Sequence, residues 1–271
     1  MPAYVVWILV VGVGACVGSF LNVCIHRIPL RRSVVHPASA CPSCGRPIAW
    51  HDNIPVLSFL ALRGRCRHCG APIPARYPLV EASTAALFAL LFLKLGPTAD
   101  FVLQALLGAA LVALIVIDAR HQILPNAITL PGIALGLLTS PLRGGARAPL
   151  ADSLAACALG YAVPWGINAL YRAWQAARGV PADARQDGIG QGDFKLLAMI
   201  GAFVGVRLLL FTLFFGALSG ALFGVAMILW RGYGWKSKLP YGVFLGGAAI
   251  LGLFAGETWI RAYLDVAGLA R

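Results

Sequence analysis

The chain has 271 residues, 59% of them hydrophobic and 12% charged, with a mean hydropathy of +0.80. A soluble domain of this size needs far more polar surface, so these proportions exclude one and place the chain in a membrane. The balance of 22 Lys and Arg against 10 Asp and Glu would suit nucleic acid on a soluble protein. On an apolar chain, retention of basic loops in the cytoplasm accounts for it, and membrane lipid rather than nucleic acid is the expected partner.

Apolar blocks of about 17–22 residues, the length that spans a hydrocarbon core, alternate with short polar stretches. They predict an all-α polytopic protein of about eight transmembrane helices, near 3–24, 79–95, 101–117, 126–140, 151–171, 192–206, 208–230 and 241–261. The fourth is short and contains Pro131, and only Gly205 and Arg207 mark the division between the sixth and seventh. The first block lacks a basic start, so it reads as a spanning helix rather than a secretory signal. Three regions follow: a first transmembrane helix over 1–25, a cytoplasmic loop over 26–78, and a membrane bundle over 79–271.

Loop 26–78 carries Cys41-Pro-Ser-Cys44 and Cys66-Arg-His-Cys69. Each C-x2-C turn aims two sulfurs inward, and two such turns complete a tetrahedral thiolate site, as in a zinc ribbon. Four free thiols or a pair of disulfides is the alternative, and a reducing cytoplasm disfavours the disulfides. His36, His51 and His68 are further donors, but four sulfurs already fill the site. With four protein ligands no position is left for water, so the expected zinc is structural. Cys16, Cys24 and Cys157 lie in apolar blocks and read as packing residues.

Charged side chains inside spanning segments are costly, and each needs a reason. Glu81, near the start of the second block, suits a polar group facing the bundle or an interfacial residue. Asp118 ends the run LVALIVID, and Asp193 opens the next-but-two in Gly190-Gln191-Gly192-Asp193-Phe194-Lys195. Two carboxylates sharing a proton around a water form an acid–base pair, in which one activates water and the other protonates a scissile carbonyl. Helix-end capping and an ion path are the competing readings. Gly190 and Gly192 would admit a bent backbone and an extended substrate. Lys195 suits a partner for Asp193 or a substrate carbonyl, or a lysine snorkelling to the interface.

Orientation follows from the basic residues. Loops 26–78, 118–125, 172–190 and 231–240 hold 15 Lys and Arg, and the opposite side holds 6: Lys94, Arg143, Arg147, Arg207, Arg261 and Arg271. The first set belongs in the cytoplasm, which puts the N-terminus outside and both aspartates near the cytoplasmic surface at similar depth.

The motifs, in order, resemble a known family. Gly18-Ser19-Phe20-Leu21-Asn22-Val23 with His26-Arg27-Ile28-Pro29 is similar to the opening signature of the type IV prepilin peptidases. The paired cysteines flank Asn53-Ile54-Pro55-Val56-Leu57-Ser58, and Arg76-Tyr77-Pro78-Leu79-Val80-Glu81 follows. Ile117-Asp118 with Leu124-Pro125-Asn126-Ala127-Ile128-Thr129-Leu130-Pro131 resembles the first catalytic stretch. Gly190-x-Gly192-Asp193 resembles the second, the GxGD signature. Lys238-Leu239-Pro240-Tyr241-Gly242 is similar to the turn before the last helix.

The resemblance implies a bacterial inner-membrane aspartyl endopeptidase with its N-terminus in the periplasm. It would cut the leader from type IV prepilins or type II secretion pseudopilins at the cytoplasmic face. Asp118 and Asp193 would be catalytic, supported by Gly190, Gly192 and Lys195. The bifunctional branch also methylates the new N-terminus with S-adenosylmethionine, for which Asn22, Tyr77 and Glu81 form a candidate polar set at helix ends. Three positions depart from the pattern. Asn126 stands where many relatives carry Asp, Val243 replaces a second proline, and Ala85 stands where glycine is expected near the methylation region.

Overall fold

The computed structural model describes residues 2–142, 150–231 and 239–268. Lys236 and Lys238, and Arg143, Arg147 and Arg271 of the basic count, lie outside the described residues. These residues are helical apart from turns and two isolated β-bridges. Six of their helices are long and apolar enough to cross a membrane. The chain divides into two compact units, Met1–Ala113 and Leu114–Arg271, with the boundary inside one helix.

The first unit contains α1 (Ala3–Arg27), the short α2 (Leu57–Ala61), α3 (Arg76–Leu95) and the start of α4 (Ala99–His121). Its frame is the packing of α1 on α3. Gly14 and Gly18 are one turn apart on α1, and both face α3. A Cβ on Gly18 would lie 2.6 Å from Glu81 Cα, and one on Gly14 would lie 2.9 Å from Ala85 Cα. This is the small-xxx-small contact by which helices approach closely without a hydrophobic driving force. The glycine expected at position 85 is thus supplied by the opposing helix.

The second unit holds the end of α4, α5 (Asn126–Leu138), α6 (Leu150–Ala177), α7 (Gln191–Arg231), α8 (Tyr241–Leu251) and α9 (Glu257–Val266). A π-helical turn at Gly252–Gly256 joins the last two into one apolar run. α5 has 13 residues, about 20 Å, so it is shorter than a hydrocarbon core of about 30 Å. α7 has 41 residues, about 60 Å if straight, which is twice that thickness. Gly205, at φ 78° and ψ 179°, breaks it into two limbs, as the sequence predicted. The freed Val206 N–H points at Asp152 Oδ1 on α6, 3.4 Å away.

The first limb is the core of this unit: Leu196, Leu197, Met199 and Ile200 are fully buried. α6 lies antiparallel along it. A Cβ on Gly160 would meet the Leu197 carbonyl at 2.6 Å, and one on Gly201 would meet the Ala156 carbonyl at 2.6 Å. Each step down α6 is therefore matched by a step back along α7.

Two helix ends differ from expectation in a way that bears on the acids. α4 continues to His121, so Asp118 sits inside the last turn rather than closing the helix. Arg120 and His121 complete that turn, where cations are favoured by the helix dipole. α3 begins at Arg76, so Tyr77 and Glu81 both lie within it.

Candidate active site

Asp193 sits where local rules want an acid. Gly190 precedes α7 and its carbonyl accepts the Asp193 N–H at 3.0 Å, while the Asp193 carboxylate reaches back to the Gly190 N–H. This is the reciprocal half of a capping box, at the end of the helix that favours negative charge. Capping explains this aspartate's position in part.

It does not explain Asp118. An acid in the last turn of α4 faces the wrong end of the helix dipole. Its carboxylate is met instead by the N-terminus of α8, where the Val243 N–H donates to Oδ2 at 3.2 Å and the Gly242 amide faces it as well. Gly242 makes that approach possible, because a Cβ there would lie 2.9 Å from Asp118 Oδ2. Two amides in the first turn of one helix thus meet the charge that the other helix opposes.

Both carboxylates are buried, 5% exposed for Asp118 and 8% for Asp193, yet they line one cavity of about 320 Å³. Gly190, Gly192, Leu124 and Lys195 share its wall. The predicted site residues of the second unit are therefore together. Lys195 differs in detail, since its Nζ donates to Asn126 Oδ1 at 2.8 Å. The Asn at position 126 therefore has its own role as the acceptor that fixes this lysine at the cavity rim. Sequence reasoning missed Gly242 and Val243 as neighbours of Asp118. It also missed Asn168 and Gln175, whose carboxamides on α6 bond the backbone of the loop before Gly190. Uncharged polar residues inside an apolar helix were the available signal.

The first unit contains the other two groups. Asn22 Nδ2 donates to the Tyr77 carbonyl at 3.0 Å, and Glu81 Oε2 accepts the Val56 N–H at 2.7 Å. Val56 has φ 63°, a left-handed conformation that a β-branched residue adopts only when its surroundings enforce it. Buried Glu81, 8% exposed, thereby pins the segment 53–58 to α3.

The cysteine turns are near copies of each other. In the first, Cys41 N–H bonds the Arg46 carbonyl and Gly45 N–H bonds the Cys41 carbonyl, both at 2.9 Å; in the second, Cys66 with Ala71 and Gly70 with Cys66 do the same at 2.9 Å. Gly45 and Gly70 take φ 69° and 70°, the left-handed step each turn requires. All four sulfurs lie within 4.8 Å of one another, and Cys41 Sγ is 3.8 Å from Cys69 Sγ. A tetrahedron with 2.3 Å metal–sulfur bonds has edges of about 3.8 Å, so the cluster fits a metal ion. The Cys44 and Ser43 amides hold the Cys41 thiol down at about 6. At Cys69 the Ala71 amide acts the same way, but desolvation and the three neighbouring thiols outweigh it and push the group up to about 11. A divalent cation is what allows all four to be thiolates at once. His68 Nδ1 is paired with Arg46 at 3.2 Å.

Residues 13–95 match the model of the bacterial peptidase A24 N-terminal domain, and residues 105–225 match that of the type IV leader peptidase family. A protein of Aeromonas salmonicida called prepilin leader peptidase/N-methyltransferase is 38% identical, over 92% of this chain and 90% of its own length. The chain belongs to the type IV leader peptidase family. A Pseudomonas aeruginosa relative with the same name is 37% identical over 94% of this chain and 92% of its own. A third, from Myxococcus xanthus, is 42% identical over 85% of this chain; the match spans 65% of that longer relative. No solved structure matches. The family models cover the cavity aspartates and the cysteine turns alike, in agreement with the resemblance read from the motifs.

Proposed function

We propose that Asp118 and Asp193 are the catalytic pair with which this member of the type IV leader peptidase family removes the leader from its prepilin substrate. One observation carries the reading: two buried carboxylates from different helices open onto the same glycine-walled cavity. Asp118, met by the α8 amides, suits the base that takes a proton from water. Asp193 suits the partner that donates to the scissile carbonyl, and the protons exchange between them as the tetrahedral intermediate collapses. Gly190 and Gly192 leave room for an extended backbone, and Lys195 supports the rim. Neither aspartate acts as a lone charge, so an ion path is the weaker account.

The substrates on this reading are type IV prepilins or type II secretion pseudopilins, cut at the cytoplasmic face of the bacterial inner membrane. The 15-to-6 basic count supports that orientation, with the N-terminus in the periplasm. Cys41, Cys44, Cys66 and Cys69 would hold one structural zinc, which ties the loop together and takes no part in hydrolysis. S-adenosylmethionine would supply an electrophilic methyl group to the new N-terminal amine. Asn22, Tyr77 and Glu81 are the proposed residues for it, because a buried carboxylate at the joined ends of α1 and α3 suits a cationic sulfonium.

The decisive experiment replaces each aspartate by asparagine, which keeps shape but cannot exchange a proton. Asp118→Asn and Asp193→Asn should each lower prepilin cleavage in isolated membranes by on the order of 10³-fold or more. Near wild-type processing by either variant would remove that residue from the pair.

A further inference from the structure

The backbone that delivers Asp193 is not held by α7 alone. The three residues Gln186, Gly188 and Ile189 precede the GxGD turn, in a stretch with no helix or strand of its own. Asn168 on α6, fully buried at 0% exposure, accepts the Gly188 N–H at 3.0 Å and the Ile189 N–H at 2.9 Å through Oδ1. Its Nδ2 donates to the Ile189 carbonyl at 2.8 Å. Two turns further along the same face, Gln175 repeats the pattern on Gln186. Its Nε2 donates to that residue's carbonyl at 2.8 Å, and its Oε1 accepts the N–H at 3.1 Å. Between them Arg172 Nε meets Asp187 Oδ1 at 2.7 Å. Residues 168, 172 and 175 follow the i, i+4, i+7 spacing of one helix face.

We infer that Asn168 and Gln175 are positioning residues for cleavage: their side chains act as a splint on which the loop is laid out, so that Gly190 begins α7 at one fixed place and Asp193 enters the cavity in register with Asp118. The antiparallel register that matches Gly160 to Leu197 and Ala156 to Gly201 runs on without interruption into Asn168 and Ile189. The same helix therefore sets both the limb that carries Asp193 and the turn before it. A carboxamide is the side chain that reproduces a peptide's donor and acceptor together, so it can pair both sides of a residue as a neighbouring strand would. Truncating it inside an apolar helix leaves three backbone groups of Gly188 and Ile189 without a protein partner, which lets the turn drift. A shift of about 1 Å in a catalytic group costs as much as 10²-fold in rate.

The inference rests on the reading of Asp193 as catalytic, and the test separates the two. Cleavage of a purified prepilin by the full-length enzyme in detergent is followed for wild type, Asp193→Asn, Asn168→Ala and Ser153→Ala. Ser153 is a buried side chain on the same helix whose Oγ has no hydrogen-bond partner. Asn168→Ala is expected to accumulate in membranes, to lose at least about 10-fold in kcat and to keep its KM, while Ser153→Ala keeps both. Should Asn168→Ala fail to accumulate, Gln175→Leu, which frees only the outer pair at Gln186, gives the same split with a smaller loss. An active Asp193→Asn would overturn the catalytic reading on which the inference stands. An inactive Asp193→Asn beside an accumulated Asn168→Ala of normal kcat, or a loss carried by KM, would overturn the splint alone.

Discussion

Each unit buries an acid in an apolar helix, and the two differ in what those acids face. Glu81 in the first is 8% exposed, as is Asp193 in the second. Glu81 receives the Val56 amide and holds a strained turn. Asp118 and Asp193 are also reached by amides, but each carboxylate borders a cavity that its helix-end donors do not close. Burial of an acid within a membrane helix therefore does not by itself mark a catalytic group. The cavity that Asp118 and Asp193 share is what supports the catalytic proposal for them. Glycines serve both ends in the same way: Gly18 lets α3 come against α1 at Glu81, and Gly242 lets α8 come against Asp118.

The strongest way to break this contrast is to add one methyl group at each glycine. Gly242→Ala places a Cβ 2.9 Å from Asp118 Oδ2 and 3.1 Å from Leu124 Cδ1, so the carboxylate must move. Cleavage should fall by about 10²-fold in a protein that still accumulates. Gly18→Ala meets the Glu81 backbone at 2.6 Å, where nothing can swing aside, and should destabilise the first unit by about 1–3 kcal/mol. Thermal melts and cleavage assays on both variants check the pairing. If Gly242→Ala acts through stability and Gly18→Ala through kcat, the contrast is reversed.

The cysteine module sharpens the comparison, because the zinc proposed for it would act on folding. Elemental analysis should find about one zinc per chain, lost when Cys41 and Cys44 are both replaced by Ser. The double variant should lose protein level more than kcat per folded molecule. Metal-free protein with four free thiols and full stability would rule the site out.

Much of this was legible in the residues, and the unequal parts have physical reasons. The C-x2-C turns and GxGD are local: a few consecutive residues determine the geometry, so spacing alone predicts the sulfur cluster and the acid at the start of α7. The α7 break was readable because glycine is the residue that tolerates φ 78°. What was not readable depends on distant neighbours. Val243 reaches Asp118 across 125 positions, and nothing in either segment names the other. Ala85 departs from the expected glycine, and nothing in its own segment names Gly14 as the residue opposite it. Asn168 and Gln175 carry no charge, so a search for expensive ionised groups passed over them, although a carboxamide in an apolar helix also needs partners.

Glu81→Gln tests whether the anchor also has a charge-dependent role. Glutamine keeps an oxygen for the Val56 amide, so the turn at 53–58 stays in place and cleavage should be unchanged. The charge proposed to balance a sulfonium is gone, and methylation of mature pilin should fall by about 10-fold, on the scale of one lost charge contact. Mass spectrometry of the pilin N-terminus with S-adenosylmethionine supplied reads both outcomes in one sample. Unchanged methylation would leave Glu81 as an anchor only.

The smallest effect is expected at Lys195. Its ammonium is held by Asn126 at 2.8 Å rather than by either aspartate, so it does not set the charge of the pair through direct contact. Glutamine at this position keeps a donor for Asn126 Oδ1 and much of the side-chain length, and removes only the positive charge at the cavity rim. If that charge steadies a substrate carbonyl or the approach of the chain to be cut, Lys195→Gln should raise KM by about 3–10-fold with kcat nearly constant, the pattern of binding lost equally from ground and transition states. Asn126→Ala should give a milder version of the same change, since the lysine keeps its charge but loses its tether. A fall in kcat of the size expected for Gly242→Ala would instead put Lys195 in direct contact with the two carboxylates during turnover. The bond to Asn126 would then be a resting arrangement that substrate displaces.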